Sequence, residues 1–243
     1  MIFLPVFVSK TGHNKNIILF FDSYPVYGMR TEVEMENLVS KPRISTRRIA
    51  VAGILSAVSV LLSLVPSLGY IPVPPLTITT MHIPVIVAAL LEGPVIGGFV
   101  GLIFGLSSMY AAATVFAGWP TSFVFLNPLV AVLPRILIGI SAYYVYALMR
   151  KLFKKKAPAI ISGAVAGTLT NTIGVLGMIY ILYAQRYVDA LVQSAKSQGN
   201  TLVVKSLLGV IFGGVSGNAV AEIIMASLIC VPVVLAVEKI RKS

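Results

Sequence analysis

An all-α, polytopic membrane protein with six transmembrane helices and both termini in the cytoplasm is the fold class this chain predicts, on three observations. The composition is 57% hydrophobic and only 11% charged, with a mean hydropathy of +0.93, which is more apolar surface than a soluble fold of this length could hide. From Ile49 onward the apolar residues fall into six stretches, each approaching the roughly 20 residues that a helix needs to cross hydrocarbon. Basic residues gather in the segments between alternate stretches, as the positive-inside rule requires of cytoplasmic loops.

Residues 1–46 stand outside this plan. Met1 to Val8 and Ile17 to Phe21 are apolar but too short to span, and neither has the order of parts of a secretory signal. They are expected to be a disordered cytoplasmic tail, or upstream sequence ahead of a true start at Met29 or Met35, leaving 47–243 as the membrane-embedded domain. The first span, Ile49 to Leu64, follows Lys41, Arg43, Arg47 and Arg48. Ala50, Gly53 and Ala57, with Ser56 close by, flatten one of its faces so that another helix can approach. The loop Pro66 to Pro75, apolar and rich in Pro and Gly, is either a lid over a site or a stiff connector.

The second and third spans, Leu76 to Leu91 and Val95 to Tyr110, are short and joined only by Glu92-Gly93-Pro94, a tight helical hairpin. Gly97, Gly101 and Gly105 give the third a second flat face, for internal packing or for a partner. Asn127 to Leu148 is the fourth span, and Arg150, Lys151, Lys154, Lys155 and Lys156 follow it. Ala159 to Tyr183 is the fifth, with an outer loop beyond it carrying Arg186, Lys196 and Lys205. The sixth, Leu207 to Val237, ends on Lys239, Arg241 and Lys242. Six crossings put all three basic clusters on one side, opposite the loops Val65 to Pro75 and Ala111 to Phe123, which hold no Lys or Arg. Trp119, Tyr70, Tyr110, Tyr183 and Tyr187 fall near the outer ends, where aromatic rings anchor at the interface.

Several function classes drop out. The net charge of +11 is accounted for by topology, so no nucleic-acid partner is expected. One Cys, Cys230, inside an apolar run, builds neither a disulfide framework nor a cysteine metal site. There is no P-loop, HExxH or GxSxG, and Glu92, Asp189 and Glu222 are the acidic residues between the first and last spans, so an enzyme, a metal and a cofactor are not expected.

What remains is a binder, and its candidate site is a layer of polar residues inside the membrane. Arg135 is a cation in the middle of the fourth span, where hydrocarbon tolerates no unpaired charge. Counted from the basic ends at helical rise, Arg135 stands about 22 Å deep, Glu222 about 25 Å and Asn171 about 21 Å. Asn218 lies one turn from Glu222 on the same face, and Asn127 two turns from Arg135 toward the outside. Two readings stay open: an outward-facing pocket whose guanidinium takes an anionic or carboxylate ligand, or a structural Arg135–Glu222 pair with asparagines fixing the helices. His82, without a second ligand nearby, is either a helix-terminal hydrogen-bonding group or a pocket residue.

Met81-His-Ile-Pro-Val-Ile-Val, Leu91-Glu-Gly-Pro, Gly97 to Ser108, and Phe123-Val-Phe-Leu-Asn-Pro leading to Leu133-Pro-Arg135 occur in an order that resembles the S component, the substrate-binding membrane subunit, of energy-coupling factor (ECF) vitamin transporters. The likeness covers about residues 44 to 240. It implies a six-helix subunit of a bacterial cell-membrane importer that captures a water-soluble vitamin from outside. Such a subunit delivers its vitamin to a transmembrane coupling subunit powered by two ATP-binding cassette ATPases. Ala50, Gly53 and Ala57 would contact the coupling subunit, and the loop Ile71 to Thr80, with Thr79, would cover the ligand. The candidate substrate-binding set is Arg135, Asn127, Asn171, Asn218, Glu222, His82, Thr79 and Trp119.

Among vitamins, the pantothenate subgroup looks closest, since a small carboxylate with hydroxyl and amide groups suits Arg135. Riboflavin would need more aromatic surface than the pocket helices show, although Trp119, Tyr143 and Phe125 are available; folate would use Arg135 equally well. A self-contained secondary transporter is the alternative class, and it lacks the internal inverted repeat such proteins often carry. A membrane-embedded enzyme is a third, short of acid/base residues.

Overall fold

The first helix turns the usual amphipathic pattern inside out. In the computed structural model, which describes residues 45–73, 76–197 and 216–241, helix α1 (Thr46–Leu64) buries Ala52, Ser56, Ser59 and Ser63 and exposes Ile49, Ile54, Val58 and Leu61. Small hydroxylated residues inside and large apolar ones outside suit a helix whose outer solvent is lipid. The buried serines hook α1 to its neighbours: Ser59 Oγ donates to the Met81 carbonyl at 3.1 Å, and Ser107 Oγ to Ser63 Oγ at 3.0 Å. The expected tail, 1–46, lies outside the described residues except for its last two, as do residues 207–215 of the expected sixth span.

The second span differs from expectation. A short helix α2 (Pro66–Gly69) leads into an antiparallel hairpin of β1 (Tyr70–Val73) and β2 (Leu76–Thr79), with Tyr70 opposite Thr79 and Ile71 opposite Ile78. The fold is all-α apart from this short hairpin, and Leu76 to Thr79, expected in the second span, belong to a strand. Only then does α3 (Ile83–Glu92) begin, with Pro84 in its first turn. Ten residues rise about 15 Å, half the thickness of the hydrocarbon. From Ile83 to Leu90 every residue of α3 is buried, because α1 and four later helices, Pro94–Ala113, Leu133–Leu152, Lys156–Ser197 and Ser216–Ile240, pack against it. Gly93, at φ +97° in a region that only glycine enters readily, turns the chain into α4 (Pro94–Ala113).

The third-span glycines pack internally. A Cβ on Gly97 would strike Ala89 and Gly139, one on Gly101 the main chain of Arg135, and one on Gly105 that of Ala131 and Val132. The expected fourth span is broken: after a 3-10 turn (Ser122–Leu126), α5 (Pro128–Ala131) stops at Val132 and α6 (Leu133–Leu152) restarts with Pro134 in its first turn. The helix of the expected fifth span, α7 (Lys156–Ser197), runs on past Tyr183 and carries Arg186 and Lys196 of the expected outer loop on its distal turns, while Lys205 lies outside the described residues. Its 42 residues rise about 63 Å, and Gln185 donates to Asp189 one turn on at 3.2 Å where the apolar pattern fades. The last helix is α8 (Ser216–Ile240). Among the described residues, five helices are long and apolar enough to cross a membrane: α1, α4, the α5–α6 unit, α7 and α8.

One carboxylate gathers the basic end of the bundle. Glu92, at the α3–α4 turn, has a side chain 2% exposed and meets Arg47, Arg48 and Arg241. Arg48 also donates to the Glu92 carbonyl and Arg241 to that of Leu91, each at 3.0 Å. Lys156 and Glu238 pair beside them, so the start of α1, the α3–α4 turn, the start of α7 and the end of α8 share one end. Glu92→Gln keeps the shape but leaves three arginines without their counter-charge. We expect a loss of about 1–2 kcal/mol, moderated by the solvent that reaches the arginines, seen as a lower thermal midpoint in detergent.

Candidate ligand cavity

Away from Glu92, the helices part around a cavity of about 320 Å³. Its wall includes Arg135 from α6, Asn171 and Thr172 from α7, Asn218 and Glu222 from α8, His82 ahead of α3, and Thr79 and Tyr70 from the hairpin. Trp119, Phe116 and Phe125 close it from the α4–α5 connection. Seven of the eight sequence-derived candidates thus meet on one surface. Asn127 does not: its Oδ1 accepts from Leu129 N at 2.9 Å, capping α5, and its Nδ2 donates to the Tyr183 hydroxyl at 3.0 Å.

Arg135 and Glu222 do not neutralise each other. No ion pair among the described residues includes Arg135, and Glu222 Oε1 accepts instead from Thr79 N at 3.1 Å and Thr79 Oγ1 at 2.5 Å. Glu222 therefore ties the hairpin to α8. The Arg135 side chain, nearly buried, donates from Nη1 to the Val130 carbonyl at 2.5 Å, and its Nε is buried without a partner. Its guanidinium lies 5.6 Å from the Phe104 ring centre and 5.4 Å from that of Phe125, so aromatic faces supply part of the stabilisation a counter-ion would give.

His82 precedes α3 but its side chain caps nothing there, contrary to the helix-terminal reading; Nε2 and Thr168 Oγ1 are 3.1 Å apart, both residues buried. The start of α3, the positive pole of its peptide dipoles, opens at the cavity wall. Asn171 Oδ1 is buried with no hydrogen-bond partner. Among the described residues, no group of three His, Cys, Asp or Glu side chains could hold a metal.

Aromatic residues carry more of the wall than the sequence reading allowed. Tyr70 meets Phe116 edge-on at 5.6 Å, and Phe116 meets Trp119 at 5.2 Å, so Tyr70 and Trp119, read as interface anchors, are part of the enclosure. Phe104 and Phe116 were missed because an aromatic residue in an apolar span carries no signal of its own; a helical count back from Arg135 and forward from Tyr70 does not connect different elements.

The arrangement offers a cation and unpaired donors for an anion, a buried carbonyl acceptor at Asn171 for hydroxyl or amide donors, and aromatic faces for an apolar middle. A family model described as ECF transporter, substrate-specific component, matches residues 47–234. Among curated relatives, a pantothenic acid transporter, PanT, of Lactococcus lactis subsp. cremoris is 32% identical over 185 residues, 70% of this chain and 82% of that protein. A pantothenate transporter, PanT, of Leuconostoc mesenteroides subsp. mesenteroides is 28% identical over 192 residues, 74% of this chain and 86% of that protein.

Proposed function

Since the chain belongs to the family of ECF transporter substrate-specific components, we propose that it captures pantothenate from outside the cell and hands it to a coupling module. It is a multi-pass protein of the bacterial plasma membrane and the vitamin-binding subunit of a transporter. Members of this family work with a membrane coupling subunit and two ATPases. The Arg135 guanidinium carries the reading: it is buried, has an unpartnered Nε, lacks a carboxylate partner among the described residues, and stands on the cavity wall. A carboxylate ligand supplies what that charge lacks.

The cavity volume of about 320 Å³ supports a small vitamin, near the lower end of ligand pockets. The aromatic argument against riboflavin weakens, given Tyr70, Phe104, Phe116, Trp119 and Phe125, so the choice rests on size and on what the two relatives are named for. In this reading the carboxylate sits at Arg135, and Asn171 and Asn218 take the hydroxyl and amide groups. His82 and Trp119 bound the ends, and Thr79 with Glu222 holds the hairpin closed. Asn127 acts only through the α5 cap. Melting the purified protein with pantothenate, riboflavin and folate tests this: pantothenate alone should raise the midpoint, by mass action, and a rise with another vitamin instead would reassign the substrate.

The basic end faces the cytoplasm in this reading, with both termini, and the hairpin plus half-length α3 stands in for one of six crossings. Ala50, Gly53 and Ala57 are exposed on α1, and the space around Gly53 is empty, which supports a docking face for the coupling subunit. Gly53→Leu should leave pantothenate affinity unchanged and reduce uptake about tenfold in cells that carry the coupling module. Equal loss of both would move that face out of the interface.

A further inference from the structure

Pro134 occupies the first turn of α6 and has no N–H, so it cannot donate to the carbonyl of Val130, four residues earlier. The main-chain bonds step across it: Val132 N donates to Pro128 O at 2.7 Å, and Ile136 N to Val132 O at 3.1 Å. Val130 is without solvent exposure, and a carbonyl there needs a donor. Arg135 provides it, its Nη1 at 2.5 Å from Val130 O. A long helical side chain reaches back over the preceding turn, so the residue after a proline is well placed to serve the acceptor that the proline leaves open.

The contact fixes more than one atom. With Nη1 held at the main chain, the planar guanidinium takes one orientation between Phe104 and Phe125, and its remaining edge is left to the cavity. A flexible arginine would lose side-chain entropy on meeting a carboxylate; this one is already ordered. The break is also held from outside, because Gly174 of α7 leaves room for the Pro134 ring, which a Cβ there would touch at 3.0 Å.

Resting on the pantothenate reading, the geometry points to Pro134 as a positioning residue for carboxylate recognition: by withholding an N–H it frees the carbonyl that aims Arg135. Pro134→Ala restores a donor that competes for Val130 O and lets the helix run through Val132. The measurement is a pair of dissociation constants, for pantothenate and for panthenol, its analogue with an alcohol in place of the carboxylate. Pro134→Ala should cut the preference for pantothenate over panthenol about tenfold, panthenol affinity changing little. A preference equal to that of the unsubstituted protein would overturn the assignment.

A second variant separates the missing donor from the ring. Lactic acid at position 134, an ester without N–H or ring, should retain the original preference; loss of preference there would overturn the proposal even where Pro134→Ala fails to fold. Absence of pantothenate binding by the unsubstituted protein would instead sink the substrate reading, which is a distinguishable result.

Discussion

Arg135→Ala is expected to weaken pantothenate binding more than about a hundredfold, near 3 kcal/mol, because the ligand carboxylate would enter a buried wall with no counter-charge. Panthenol should lose far less, as it brings no charge. The empty protein should tolerate the change. Removing a buried cation that has no ion pair among the described residues relieves a desolvation cost, while the Val130 carbonyl loses its donor, and the two effects oppose each other. Calorimetric titration with both ligands, beside a melting curve, reads all three quantities. Undiminished pantothenate affinity would return Arg135 to a purely structural role.

Gly101→Val is expected to cost about 3 kcal/mol or more and to leave little folded protein. At this position α4 and α6 touch main chain to main chain, and any Cβ would run into the carbonyl carbon and oxygen of Arg135, which cannot rotate aside. Movement of α6 would carry the guanidinium with it, so residual folded protein should also bind poorly. Gly53→Leu makes the control, because the space there is open. Size-exclusion profiles of the two variants in detergent should differ sharply, and a normal profile for Gly101→Val would contradict the helix contact.

Arg135, Asn171, Asn218 and Glu222 were legible from the sequence, because charged and amide groups inside apolar stretches are rare enough to stand out and helical rise gives each a depth. Their partners were not. The Glu222–Thr79 contact joins residues 143 apart, and hydropathy cannot tell an apolar strand over a cavity from the first turns of a helix in lipid. Leu76 to Thr79 therefore read as part of the second span. Arg186 and Lys196 misled in the opposite sense: lower hydropathy marks where a helix would leave the membrane, yet nothing obliges it to end there, and α7 continues. Asn127 has the depth of a site residue, but an asparagine directly before a proline and a helix start is also an N-cap, and that local bond prevails.

The brevity of α3 has a consequence for delivery. The cavity floor lies at its start, and beneath that floor the eight residues Ile83 to Leu90 are all buried, like a cork in the lower half of the bundle. A solute threading straight through would have to expel Val85, Ile86, Val87 and Ala88 from their contacts, whereas on the opposite side the described residues that bound the cavity are a two-stranded hairpin and a few aromatic rings. In the reading proposed above, α3 thus bars the direct route through the bundle, and cargo leaves on the side of the hairpin.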